Sequence, residues 1–373
     1  MRVIRQWLRQ LLLRIFGRWG EAYILPIVRL IYRKLPFYDY RRMQYAANEA
    51  RQIRSAISSR EVDRFSIVLD YRAIGWNYGD CIYVLGVARY LMAHQCYVNI
   101  YFANTEFVDE NMGPIPDTQS MSSSFVDEMI RISRALLDPC QSSITTISQE
   151  QLSALTAKRD DEYLLFSDYV RTSRFFAGDC FNVFNHLLAP LSEGAQDEIL
   201  YSVDEFNDFL PRSVPRDSYI SWACRYPLNS IDMRHVTRGA FSKIYLYLKL
   251  RYPHHKIMII SDHRGCKHYL SISESLGIDD LLFSKDYSPD FLGDTALVMN
   301  SAFLFWYRAG GIDVIPRYSR LPYEMLGHLG HEVMWDKERI CSWQGHDQAF
   351  FNIGILRPGD DRSTDLQSLN PSC

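Results

Sequence analysis

Four short stretches hold side chains able to do chemistry. In NYGD, Asn77, Gly79 and Asp80 stand at the mouth of a helix-like run. Glycine lets a ligand or a backbone come close there, and Asp80 can cap the helix or take a proton from a bound substrate. In SWACRY, Arg225 follows an apolar run, with Arg234, His235 and Arg238 behind it. A planar guanidinium suits bidentate contact with phosphate oxygens, and equally a surface ion pair. The run IMIISDHRG ends in Asp262, His263, Arg264 and Gly265. A histidine there can donate to a phosphate or act as a base, and an aspartate can accept from a ribose hydroxyl; the same residues also suit a plain turn. Finally, LVMNSAFLFWYRAGG sets Asn300 and Ser301 ahead of an almost wholly apolar run. Read as a buried helix, that run offers an anion the free N–H groups and dipole of its start, with Ser301 as ligand or as simple N-cap. Three phosphate-facing stretches in the second half of the chain together favour a nucleotide. Phe283, Trp306 and Tyr318 are apolar enough to stack on a base or to fill a core.

The elements that must carry these residues alternate. The run 65–74 is β-branched and apolar, 81–94 has helical spacing and 96–104 is again strand-like, which makes a β-α-β unit with a parallel crossover. A loop over 104–124, a helix over 124–138 and strands over 142–148 and 162–170 follow. Residues 206–218, with Pro211 and Pro215, read as a linker. Beyond it come strand 218–226, helix 237–252, strand 255–263, helix 267–277, short strands over 280–284 and 296–301, a helix over 302–311 and a strand over 313–316. The expected fold is therefore α/β: two Rossmann-like domains in tandem, at 61–210 and 211–373, behind a basic amphipathic helical segment at 1–60. In such sheets ligands sit beyond the carboxyl ends of the strands, where all four stretches fall.

Charge divides the chain unevenly. The 373 residues sum to −3, which argues against a nucleic-acid partner. Yet residues 1–60 hold 13 Arg or Lys against 3 Asp or Glu, while the rest holds 28 against 41. In MRVIRQWLRQLLLRIFGRW the apolar residues recur every three or four positions with arginines between them, an amphipathic cationic helix too often interrupted to span a bilayer. Residues 1–36 accordingly suit an anionic membrane surface on the cytoplasmic side; docking on the protein's own acidic body and mitochondrial targeting are the other readings. The eight scattered cysteines form no CxxC and no close Cys/His spacing, so they read as reduced structural thiols. Asp204 and Asp208 do not make a close acidic pair, and no metal or cofactor is expected. The sequence holds no GxxxxGK[ST], HExxH, GxSxG or strand-following GxGxxG, which sets ATPase, metalloprotease, α/β-hydrolase and dinucleotide oxidoreductase readings aside.

Over residues 65–350 the chain resembles the GT-B glycosyltransferases. NYGDCIYVLGVARYLMAH is similar to the glycine-aspartate opening of the heptosyltransferase-like branch, and SWACRY, IISDH and NSAFLF follow the strand-loop order of fucosyltransferase-like enzymes. The resemblance implies a nucleotide-sugar donor in the second domain, a glycan or lipid-linked acceptor in the first, and no metal at the centre. Carried over by position, Asp80 matches the acceptor-side acidic residue, Arg225 the donor-phosphate arginine and Ser301 a phosphate-binding helix start. SWACRYPL lacks the doubled arginine and Gly-Asp of the fucosyltransferase pattern, which leaves donor base and sugar open. The Asn-x-Gly-Asp opening also resembles the polysaccharide pyruvyl transferases, which would use phosphoenolpyruvate. A non-catalytic protein that docks through its basic head is the reading from outside enzymology.

Overall fold

The computed structural model describes residues 36–59, 63–72, 77–107, 123–157, 163–165, 179–214, 218–224, 226, 236, 238–307, 311–326 and 349–351. The amphipathic segment at 1–35, Arg225, Arg234 and His235 lie outside the described residues.

After helix α1 (Pro36–Ser59), strands β1 (Arg64–Asp70), β2 (Tyr97–Ala103), β3 (Ser142–Ile147) and β4 (Tyr163–Leu165) form a parallel sheet in the order β3-β2-β1-β4. Helices α2 (Tyr78–Ala93) and α3 (Ser123–Leu136) connect β1, β2 and β3, and α4 (Gln149–Ala157) leads back to β4. Because the chain reverses direction along the sheet after β3, right-handed crossovers put α4 on the opposite face from α2 and α3. Packing follows: alternate residues Phe65, Ile67 and Leu69 join the core that includes α2 and α3, while Val68 joins Ala103 and Leu152 of α4. Helices α5 (Asp179–Leu188) and α6 (Glu193–Asp197) follow. Gly86 of α2 is required by α5, since a Cβ there would stand 2.4 Å from the Phe184 ring.

The second sheet is also parallel, ordered β10-β9-β8-β5-β6-β7: β5 (Tyr219–Ala223), β6 (Lys256–Ile260), β7 (Leu281–Phe283), β8 (Leu304–Tyr307), β9 (Tyr323–Leu326) and β10 (Ala349–Phe351). Helices α7 (Arg238–Arg251) and α8 (His263–Ser275) cover one face; α9 (Phe291–Met299) and the short α10 (Val314–Arg317) cover the other. Two doubly wound sheets are thus present, as the alternation of strands and helices predicts.

The region 291–317 differs from the sequence reading. Residues 296–301, expected as a strand, finish α9; residues 302–311, expected as a helix, supply β8; residues 313–316, expected as a strand, lie mostly in α10. The cause is burial on all sides: Leu292, Ala296, Leu297, Val298 and Met299 are at most 1 % exposed, and so are Leu304, Phe305 and Trp306. A run buried all round shows no period. What decides the helix is a cap, the Asp290 carboxylate accepting from Gly293 N–H at 2.8 Å.

One hydrophobic cluster joins the two sheets. It runs from Val84, Leu85 and Val87 of α2 through Phe184 of α5 to Leu297, Ile315 and Tyr318. A separate cluster, made only of second-half residues, lies between the second sheet and α7 and α8.

Candidate functional site

Strand order locates the crevices. The first sheet changes direction between β1 and β4 and the second between β5 and β8, and an open parallel sheet binds ligands beyond the strand ends at such a point. The loop after β1 leads into α2, and the residues after β8 include Gly311. These two places face each other. A Cβ on Gly311 would stand 3.1 Å from Tyr78 Cβ and 3.6 Å from the Gly79 nitrogen, and one on Gly79 would stand 3.3 Å from Val314 Cγ2. Two glycines let the backbones meet there.

On the first-half side, exposed Asn77 caps α2: its Oδ1 accepts from Asp80 N–H at 3.1 Å and its Nδ2 donates to Asp80 Oδ2. Asp80 is thereby a helix-start residue with its carboxylate held in one orientation and 8 % exposed. At the strand ends beside it, Asn104 takes a left-handed φ of 56° and donates to Asp70 Oδ1 at 2.8 Å and Gln149 Oε1 at 3.0 Å, tying the ends of β1 and β2 to the start of α4. Tyr78 stacks on Phe291 of α9 with ring centroids 4.5 Å apart and donates its hydroxyl to Glu128 of α3. Burial and then the Glu128 carboxylate push the Tyr78 phenol well above its ordinary range. The same Glu128 accepts from Phe291 N–H at 2.9 Å, and Arg131 pairs with Asp290 at 2.8 Å. A first-half carboxylate therefore satisfies the first turn of a second-half helix.

Behind this rim lies a buried charged pair. Arg317 and Asp313 are 2 % and 1 % exposed and 3.1 Å apart, and Arg317 donates to the Tyr83 hydroxyl of α2 at 2.5 Å. Burial works against the Arg317 cation, but Tyr83 and Asp313 outweigh it and hold it charged, above its ordinary value. A second pair, Lys285 and Asp294 at 2.5 Å, sits beneath the end of β7. Burial outweighs the lysine's attraction and lifts the Asp294 carboxyl to about 6.

On the second-half side, Asp262, His263 and Arg264 are exposed at the start of α8, beyond the end of β6. Asp262 caps that helix through Gly265 N–H at 2.6 Å. Gly265 is forced by its neighbours, since a Cβ would stand 1.9 Å from Ser261 Oγ and 3.1 Å from Tyr226 Cβ. The ends of β5 and β6 thus form one continuous rim.

Asn300 and Ser301 are displaced from their expected role. They follow α9 rather than precede a helix, and they turn to carbonyls: Asn300 Nδ2 donates to Ala296 O at 3.0 Å, and Ser301 Oγ to Val298 O at 2.7 Å and Phe303 O at 3.1 Å. The negative end of a helix dipole faces them, so they do not form the expected anion site. Phe283, Trp306 and Tyr318 are at most 7 % exposed and fill the core. Among the described residues no three His, Cys, Asp or Glu side chains converge on a metal position, and Asp204 and Asp208 lie in one short 3₁₀ helix, Asp204–Phe209. The sequence reading missed Glu128, Arg131, Asp313 and Arg317. Of these, the i,i+4 spacing of Asp313 and Arg317 was a visible signal.

No family model matches the sequence, and no curated protein matches it. Solved structures do. The chain is similar to the glycosyl transferase family 9 protein from Veillonella parvula DSM 2008 at 12 % identity and a TM-score of 0.41, over 78 % of this chain and 87 % of that one. It is similar to the E. coli heptosyltransferase WaaC with ADP at 10 % identity and a TM-score of 0.42, over 78 % and 93 %. It is also similar to a UDP-GlcNAc 2-epimerase from Neisseria meningitidis bound to UDP-GlcNAc, at 14 % identity and a TM-score of 0.34, over 72 % and 84 %.

Proposed function

We propose that the chain is a metal-independent glycosyltransferase that moves a sugar from a nucleotide-sugar donor to a hydroxyl of a glycan or lipid-linked acceptor. The observation that carries this reading is the apposition of two strand-end crevices at Gly79 and Gly311. One doubly wound sheet needs one crevice for one ligand; two crevices set face to face suit a reaction between two.

In this reading the acceptor lies against the first-half crevice. Its hydroxyl takes the place of Asn77 on the Asp80 carboxylate, which accepts the proton as the hydroxyl oxygen bonds to the anomeric carbon. The donor lies along the rim formed by the ends of β5 and β6. Arg225 and the group Asp262, His263 and Arg264 meet its diphosphate and ribose, and the bond from anomeric carbon to diphosphate oxygen breaks. Fixed positive charge at the departing diphosphate is where preorganised donors lower the barrier most. The basic segment 1–36 holds the enzyme at an anionic membrane surface on the cytoplasmic side, where a lipid-linked acceptor would be presented.

Calorimetric titration with UDP, GDP, CMP, ADP and phosphoenolpyruvate tests the reading. One nucleotide should bind selectively, and Arg225→Ala should weaken it at least about tenfold, the loss of one charge-assisted contact. Asp80→Asn should keep that affinity while release of nucleotide from the matching nucleotide sugar falls by about a hundredfold or more. Binding of phosphoenolpyruvate alone would overturn the reading, and full turnover in Asp80→Asn would demote Asp80 from base to helix-start residue.

A further inference from the structure

Helix α7 presents an outer face that the rest of the fold does not use. Its inner side packs Ala240, Phe241, Ile244 and Leu248 against Trp222, Ile257 and Phe305 of the second sheet. On the outer side Leu246 is 56 % and Leu250 84 % exposed, with Lys243 three residues before Leu246 on the same side. A leucine left almost wholly in water is a feature to explain when its neighbours share its character. Here they do. Residues 238–256 contain five Lys or Arg, three Tyr and no Asp or Glu, in a chain whose residues beyond 60 carry a surplus of acid. Arg251 donates to the Tyr247 hydroxyl at 2.6 Å and lies over the rings of Tyr247 and Tyr252. Lys249 and Tyr245 share Asp280, from the neighbouring turn, at 2.8 and 2.7 Å.

We infer that the outer face of α7 lies on an anionic lipid surface, with Leu246 and Leu250 entering the headgroup layer. Leu246 and Leu250 stand on one exposed side with Lys243, flanked by Arg251 over the half-buried Tyr247, and exposed leucine beside basic residues is the composition of an interfacial helix, Lys and Arg meeting the lipid charge. No helix among the described residues is long and apolar enough to cross a membrane, so the contact is one of lying on the surface. A second copy of the chain fits poorly, because pairing this face with itself would set basic residues against basic residues. The surface is separate from segment 1–36. It is also separate from the crevices: α7 packs in the cluster made only of second-half residues, on the sheet face turned away from the first half. A membrane bound there leaves the meeting of the two halves uncovered.

Sedimentation of the full chain with sucrose-loaded vesicles tests this, comparing phosphatidylcholine alone with vesicles about one third phosphatidylglycerol. The double substitution Leu246→Ser, Leu250→Ser should lower partition onto the anionic vesicles about tenfold, with an unchanged thermal midpoint because both positions are exposed. Lys243→Glu should lower it about fivefold on anionic vesicles and leave the neutral ones unaffected. Leu250→Trp should raise partition about fivefold, a gain that a misfolded variant would not give. Partition unchanged in all three variants would overturn the inference and leave segment 1–36 as the whole of any binding. A dimer by light scattering that the double substitution dissociates, without a change in vesicle partition, would overturn it in favour of self-association.

Discussion

The two faces of the second sheet are built on opposite plans. The inner face, turned to the first half, buries charge: Arg317 with Asp313 and Lys285 with Asp294 all lie away from water. The outer face does the reverse, keeping its lysines and arginines at the surface and leaving Leu250 there with them. A purely apolar inner face would let the halves slide over one another at little cost. Both pairs lie within the second half, but Arg317 also donates to the Tyr83 hydroxyl of α2, and that directional contact between the halves is satisfied in one arrangement only. The outer face needs no such definition, since a fluid surface accepts any rotation of a basic, apolar helix.

The sharpest way to break this contrast is to remove a buried charge. Arg317→Ala leaves the Asp313 carboxylate 1 % exposed without its cation, and a loss of about 3–5 kcal/mol in chemical denaturation is expected. A loss under about 1 kcal/mol would show that the inner face is held by packing alone. Next comes pH. Asp294 rises from 3.8 to about 6 on folding, so the folded state holds that proton more tightly than the unfolded chain. Its contribution is complete below 3.8 and is lost as pH climbs through 6, on the order of 3 kcal/mol in all. The difference in stability between wild type and Asp294→Asn should therefore fall between about pH 4 and 6 and be flat above, which denaturation at a series of pH values reads directly. A flat difference throughout would place Asp294 in a wetter setting. The smallest effect belongs to the outer face, where Leu250→Ser should change stability by no more than about 0.5 kcal/mol. A larger change would mean that this leucine packs against the protein after all.

Much of the scaffold was legible in the chain, and the reasons are local. FSIVLD and KIMII are apolar runs of strand length followed by polar turn residues, and NYGD and SDHRG each carry an Asx cap three residues ahead of the N–H it accepts. The capping residue of NYGD is Asn77 rather than the expected Asp80, and in SDHRG it is Asp262, which the sequence offered as part of a turn. The stretch 291–317 was not legible, because burial on every side erases the period that separates helix from strand. That one confusion moved Asn300 and Ser301 from the start of a helix to its end and removed an anion site with it. Glu128 was illegible for a different reason. Its partner, the Phe291 N–H, lies 163 residues along the chain, and nothing in the local pattern of an amphipathic helix marks one glutamate as the cap of another helix.

The core that runs from α2 through α5 to α9 and α10 has a consequence for how the chain folds. Although the two sheets are drawn from successive stretches of sequence, Leu297, Ile315 and Tyr318 find their cover on α2 and α5. Neither sheet can finish burying its apolar surface before the other has arrived. Synthesis delivers two Rossmann-like halves in turn, and a first half made alone is expected to leave the cover side of α2 and α5 in water until the second packs on it.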